Sequence, residues 1–236
     1  MESHRVLLAF GLACTGIFFS ATRISSQDNA GPSLKVINRT TSFNVFGIKK
    51  AGSEVRLILK NNYNKSITAF SISVGGYGIT RDLSHNGHLL APGASYPQSC
   101  TISRSAGVPV ITILSVVFDD RTSDGDSYAA RAIFERRLGH RTQLVRIVQH
   151  LDNAQQASDN ELSIALNATK IAIAHLPVSA QGNHSHHFAA GLHNAKEEAL
   201  LELEELDHLR VNRGSAAARV RLVEITNDYR KRVARL

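Results

Sequence analysis

The apolar period of this chain changes once, near Asp126, and that change constrains the fold more than any other feature. Before it, short runs alternate apolar and polar residues. EVRLILKN (54–61) places Val55, Leu57 and Leu59 on one face. FNVFGIKK (43–50) alternates likewise. ITAFSISV (67–74) separates Ile67, Ala69, Ser71 and Ser73 from Thr68, Phe70, Ile72 and Val74. SYPQSCTIS (95–103) alternates Tyr96, Gln98, Cys100 and Ile102, and Pro97 within it marks an edge strand or a bulge. VITILSVVF (110–118) is the most apolar run and reads as a central strand. Short alternating strands broken by NNYNK (61–65), APG (91–93) and similar turns predict an antiparallel β-sandwich. GGYG (75–78) reads as a flexible strand exit, because no helix of the type that cradles phosphate follows it.

Beyond Asp126 the repeat becomes helical. Leu144, Ile147, Val148 and Leu151 share one face. A second helix, with Ser158 or Asp159 as N-cap and an end near Pro177, carries Leu162, Ala165, Leu166, Thr169, Ile173 and Leu176 as its stripe. Ile164 and Ile171 lie opposite, which predicts burial on two sides. Two long helices follow, about 188–213 and 215–236, and Gly214 between them suits a turn. The first carries Leu192, Ala195, Ala199, Leu203 and Leu206; the second carries Ala218, Leu222, Ile225, Tyr229, Val233 and Leu236. Their charges oppose: three cations against six anions, net −3, then six against two, net +4. This predicts a C-terminal helical hairpin or pairing with a second copy. The expected class is α+β: residues 43–126 a β-sandwich, 127–236 a helical region.

Residues 1–26 read as a signal peptide. A polar start ending in Arg5 precedes the apolar run Val6–Phe19, and Ser20 and Ala21 follow. The run is shorter than the ~20 residues that cross a bilayer as a helix, so a cleaved signal is expected over a membrane anchor. Residues 27–42, containing Asn29, Gly31, Pro32 and Ser33, read as a linker. The expected destination is secreted or periplasmic. Cys14 falls in the signal, so Cys100 is left as the single mature cysteine, expected as a small core residue.

The formal net charge is +7; removing residues 1–26 takes away Arg5, Arg23 and Glu2 and leaves +6. An exported basic protein meets anionic envelope components, and specific nucleic-acid binding is not expected. Basic residues gather at Arg131, Arg136, Arg137, Arg141 and Arg146, and again from Arg219 to Arg235.

His184, His186, His187 and His193 make a candidate metal site for Zn²⁺, Cu²⁺ or Ni²⁺, with His175 before the loop. On a regular helix His187 and His193 face different ways, because six residues rotate by about 600°. The competing reading is a polar linker before a helix. Asp119, Asp120, Asp124 and Asp126 resemble a calcium loop, but an EF-hand register starting at Asp120 puts Arg131 where a Glu is required. A strand-to-helix turn with Asp126 or Ser127 as N-cap is the preferred reading. There is no HExxH, GxSxG or phosphate-binding GK[ST] loop.

LILKNNYNKSITAFSIS (57–73), LLAPGASY (89–96), VVFDDRTSDGD (116–126) and IFERRLGHRTQL (133–144) together resemble a family of uncharacterised secreted bacterial proteins. The resemblance covers roughly residues 43–150. It implies an immunoglobulin-like sandwich leading into helices, and export, with no known activity. In that family's turn a glycine stands where this chain has Arg121. The expectation is an exported, non-enzymatic protein that binds or assembles at the cell envelope. A metal-binding protein built on the His-rich loop, and an enzyme without a local signature, are the alternatives.

Overall fold

The computed structural model describes residues 34–84, 87–102, 108–179 and 185–235. The segment read as a signal peptide, His184 and Leu236 lie outside them. The protein is α+β: the described residues form eight strands in two sheets, then four helices. Among the described residues no helix is long and apolar enough to cross a membrane.

Sheet A holds β1 (Lys35–Asn38), β7 (Val110–Phe118), β4 (Ile67–Val74) and β5 (Tyr77–Asp82) in that order, and β8 (Ser123–Gly125) also pairs with β7. Sheet B has the order β2 (Phe43–Ala51), β3 (Glu54–Asn61), β6 (Ser95–Thr101). One core draws side chains from both. Phe43, Val55, Leu57, Leu59 and Cys100 from sheet B meet Phe70, Ile72, Ile111, Ile113 and Val116 from sheet A. Phe70 bridges the sheets, with ring centroids 5.4 Å from both Phe43 and Tyr96. This arrangement is consistent with a β-sandwich. Leu57, Leu59 and Ile113 are buried in this core, as the alternation requires, whereas a register shift in β7 sends Val117 to the opposite face, where it too is buried. β7 is an interior strand, and Pro97 sits on β6, where its missing N–H costs no ladder bond on the open side.

Three strand details differ from the expectation. Residues 35–38, read as linker, form β1, which runs parallel to β7. Sequence gives little sign of it, because a four-residue parallel strand has no room for a period. GGYG holds a two-residue turn at Gly75 and Gly76, and the chain continues as β5 antiparallel to β4. β4 itself is buried on both faces. Phe70, Ile72 and Val74 enter the core, and on the other face Ala69 joins Val117, Ile133 and Phe134 beneath the first helix.

That helix, α1 (Ser127–Gln155), starts directly after β8. Asp126 is its N-cap and accepts a hydrogen bond from the Ala129 N–H at 2.9 Å. Arg137 clasps α1 to sheet A. Its Nε and Nη2 donate to Asp82 at 2.6 and 2.9 Å, and Nη2 also donates to Thr68 at 3.0 Å. Arg121 turns the chain between β7 and β8 with φ +67°, in the left-handed region that favours glycine.

α2 (Leu162–Ala174), α3 (His186–Arg213) and α4 (Ser215–Arg235) complete the molecule. α2 begins later than expected: Ser158 forms a turn by hydrogen bonding to Glu161, and the N-cap position, Glu161, makes no side-chain cap. α2 also corrects its predicted burial. Ile164 is 73% exposed and Ile171 is 52% exposed, so only the Leu162, Leu166, Thr169 and Ile173 face is covered. α1 and α3 approach most closely at Gly139 and Gly191. A Cβ on Gly139 would lie 2.1 Å from the Phe188 carbonyl oxygen, and one on Gly191 would lie 2.1 Å from that of Arg136. α3 and α4 form an antiparallel hairpin, tied by Arg221–Glu202 (3.0 Å) and Arg232–Glu198 (2.5 Å). Leu203, Leu206, Ile225 and Tyr229 are buried in the helical core, with Val233 packed against it. The opposite charges of the two helices meet in these two pairs, while Arg219 and Arg230 reach Asp159 and Asp152 outside the hairpin. Gly214 makes the corner with φ 89° and ψ 169°, a positive-φ extended conformation open essentially to glycine alone, rather than the expected left-handed helical one.

Candidate functional site

α1 packs on sheet A, and among the described residues the outer face of sheet B is left open. Alternation in β3 sends Val55, Leu57 and Leu59 inward and Arg56, Ile58 and Lys60 outward. Arg56 lies between Lys49 of β2 and Ser99 of β6; Ile58 lies between Gly47 and Pro97; Lys60 lies between Asn44 and Ser95. The β2 ladder shifts register between Val45 and Gly47, which leaves Phe46 as the extra residue of a β-bulge. Phe46 is 74% exposed, and the Lys60 ammonium lies 6.0 Å from its ring centroid. The face therefore presents three cations around an exposed phenyl group. Among the described residues its one carboxylate, Glu54, stands at the end, opposite Ala51 and Thr101.

These cations differ from the two basic clusters visible in the sequence. Arg131 pairs with Glu135, Arg137 with Asp82, Arg219 with Asp159, Arg221 with Glu202 and Glu224, Arg230 with Asp152, and Arg232 with Glu198 and Asp228. Among the described residues Lys49, Arg56 and Lys60 enter no ion pair. Arg137 on α1 and Arg219, Arg221, Arg230 and Arg232 on α4 brace the fold through these pairs, while Arg136, Arg141 and Arg146, like the three cations on sheet B, enter none among the described residues. Sequence reasoning missed this face. The signal was present in the parity of EVRLILKN, but nothing local says which sheet the helices leave uncovered.

The histidines are placed as follows. His186 and His187 open α3, with ring centroids 3.8 Å apart. Ser185, the N-cap, accepts from the His187 and Phe188 N–H groups and donates to Glu135. His187 Nε2 is buried without a hydrogen-bond partner, and burial, with His186 and Arg136 nearby, lowers the pKa of its imidazole. His193 lies about 9 Å further along the helix axis, on the side facing Glu197. His175 Nδ1 is 2.8 Å from the Ile171 carbonyl oxygen. Among the described residues no group of three or more His, Cys, Asp or Glu side chains is placed to hold a metal.

The acidic turn is divided among separate structural tasks. Asp120 pairs with Lys65 at 2.5 Å and accepts from Thr122, and these contacts pull its carboxyl down to about 2. Asp126 caps α1 and pairs with Arg39 at 3.2 Å. Asp124 Oδ2 accepts from the N–H and hydroxyl groups of Thr41 and Ser42 at 2.7–3.0 Å. Burial works to raise the Asp124 carboxyl, but these four bonds together hold it below the usual carboxylate range. They fix the crossing from β1 in sheet A to β2 in sheet B.

Cys100 lies in the sandwich core, where burial pushes its thiol up and away from the reactive thiolate form. An open groove of about 360 Å³ runs beside Leu138, Thr142, Phe188 and Leu192, with Arg146 as its charged lining residue. No protein-family model, curated protein or solved structure matches this chain.

Proposed function

We propose that this is an exported, non-enzymatic binding protein of the cell envelope, in which an immunoglobulin-like sandwich presents the open face of sheet B to an anionic partner. The observation that carries the reading is the set Lys49, Arg56 and Lys60 around exposed Phe46, on a sheet face that the helices leave uncovered. Strand order supports the immunoglobulin-like assignment. β2-β3-β6 match strands A, B and E, and β5-β4-β7-β8 match C′, C, F and G. β8 is short, and β1 occupies the rest of the β7 edge. The apolar run Val6–Phe19 after Arg5 supports export.

The test has two parts. Mass spectrometry of the full chain expressed in an exporting bacterium should find the N-terminus removed, outside the cytoplasm; intact Met1 in a cytoplasmic pool overturns export. Salt elution of the exported chain from phosphocellulose should fall sharply in the triple variant Lys49→Gln, Arg56→Gln, Lys60→Gln. A charge-matched control on the helices, Arg141→Gln, Arg213→Gln, Lys231→Gln, should elute nearer the parent. Equal shifts in the two triples reject sheet B as the binding face.

A second reading has one observation behind it. The adjacent His186 and His187 rings, with the buried unpartnered Nε2 of His187, support binding of Zn²⁺, Cu²⁺ or Ni²⁺ with His184 as a further ligand. Calorimetric titration with Zn²⁺ before and after His186→Ala and His187→Ala tests it.

A further inference from the structure

We infer that the open face of sheet B docks on an anionic lipid surface, with Phe46 entering the boundary between headgroups and acyl chains and Lys49, Arg56 and Lys60 held at phosphate level. The inference rests on the functional reading above and names its partner. Charge selects the class. Three cations without carboxylate partners share one sheet face, and Arg56 and Lys60 stand about 13 Å apart along β3. Lys49 is the cross-strand neighbour of Arg56. The phenyl group then selects lipid over a hydrated polyanion. A polymer of phosphate or carboxylate is satisfied by cations alone, and it offers a phenyl side chain no apolar medium.

Phe46 also has no part in the core. The Val45/Gly47 register shift puts it outside the ladder, it is 74% exposed, and no other aromatic ring packs on it among the described residues. Next to it in the chain, Gly47 lies against the side chain of half-buried Ile58, so the same face is apolar there. The Lys60 ammonium, 6.0 Å from the Phe46 centroid, sits where a lysine stem can lie along apolar surface and keep its charge in the headgroup layer. Ser95, Pro97 and Ser99 on β6 carry no charge, so the adjoining strand adds no repulsion against anionic lipid.

The experiment is co-sedimentation of the exported chain with vesicles of phosphatidylcholine alone, or with phosphatidylglycerol added at about one lipid in three. Every variant keeps the same N-terminus, so differences report on the face. Binding should require phosphatidylglycerol and weaken at high salt. The triple variant Lys49→Gln, Arg56→Gln, Lys60→Gln should lower the partition coefficient about 100-fold, since each surface cation is worth roughly fivefold. Phe46→Ala should lower it about tenfold and leave phosphocellulose elution unchanged. Circular dichroism of each variant checks that it is folded, and Phe46→Leu should restore most of the lost binding.

If Phe46→Ala leaves vesicle binding intact, or if neutral vesicles bind as well as anionic ones, the lipid inference is overturned. If vesicles fail while the triple variant still loses phosphocellulose, the lipid inference falls and the envelope-binding reading stands. If neither surface binds, both fall. A dimer in sedimentation velocity that Phe46→Ala dissociates assigns the face to a second copy and overturns lipid docking.

Discussion

Replacing Gly139 by alanine places a methyl carbon 2.1 Å from the carbonyl oxygen of Phe188 on the neighbouring helix. Such contacts do not occur below 3.0 Å, so α1 and α3 must separate by about 0.9 Å. The obstacle is backbone, and no rotamer change relieves it. The contacts between Leu144, Ile147, Leu151 and the Ala195, Ala199, Leu203 stripe loosen with it. A radial gap of ~0.5–1 Å forfeits a quarter to a half of the dispersion well. The gross loss belongs at the upper end of overpacking costs, about 3 kcal/mol. Alanine returns about 1 kcal/mol of helix propensity over glycine. The net expectation is destabilisation by about 2 kcal/mol. Gly191→Ala makes the reciprocal clash, 2.1 Å from the Arg136 carbonyl oxygen, and should cost a similar amount. Because the two methyls wedge apart one crossing, the double variant should cost clearly less than the sum. Urea unfolding of the three variants measures this. Stabilisation by Gly139→Ala, or strict additivity in the double variant, refutes the close crossing.

Two further changes test the strand crossing and the turn. Asp124 has a lowered folded-state pKa, so its contribution is present in full above the unfolded value of about 3.9 and is lost as pH falls through the folded value. Asp124→Asn should therefore lower stability near neutral pH and flatten the fall in thermal midpoint below pH 4; an unchanged acid limb would count against the network with Thr41 and Ser42. Arg121→Gly should stabilise by about 0.5–1 kcal/mol by relieving left-handed backbone, whereas Arg121→Val should destabilise, and both are read from urea midpoints. A loss of stability in Arg121→Gly would contradict the strain at this turn.

The sequence by itself determined which residues share a face. The parity of β3 is complete in EVRLILKN, and Val55, Leu57 and Leu59 are fully buried. The helical period after Asp126 was equally legible, as were the Asp126 cap and the Leu203, Leu206, Ile225, Tyr229 seam. These are local facts, because backbone geometry fixes whether side chains repeat every second residue or every third and fourth. Tertiary structure alone decided what covers each face. Ile164 and Ala69 make the contrast. Ile164 is apolar and exposed, because no described element packs on the outer side of α2, while Ala69, on the less apolar side of its strand, is buried under α1. Coverage depends on partners distant in the chain, such as Asp82 for Arg137 and Gly191 for Gly139, and no local period encodes them. The candidate site follows the same division. The alternation that sends Arg56 and Lys60 to one side is written in the chain, but their openness is not. It arises because the Arg137–Asp82 clasp and the Ile133 contact hold α1 against sheet A, which among the described residues leaves the outer face of sheet B uncovered.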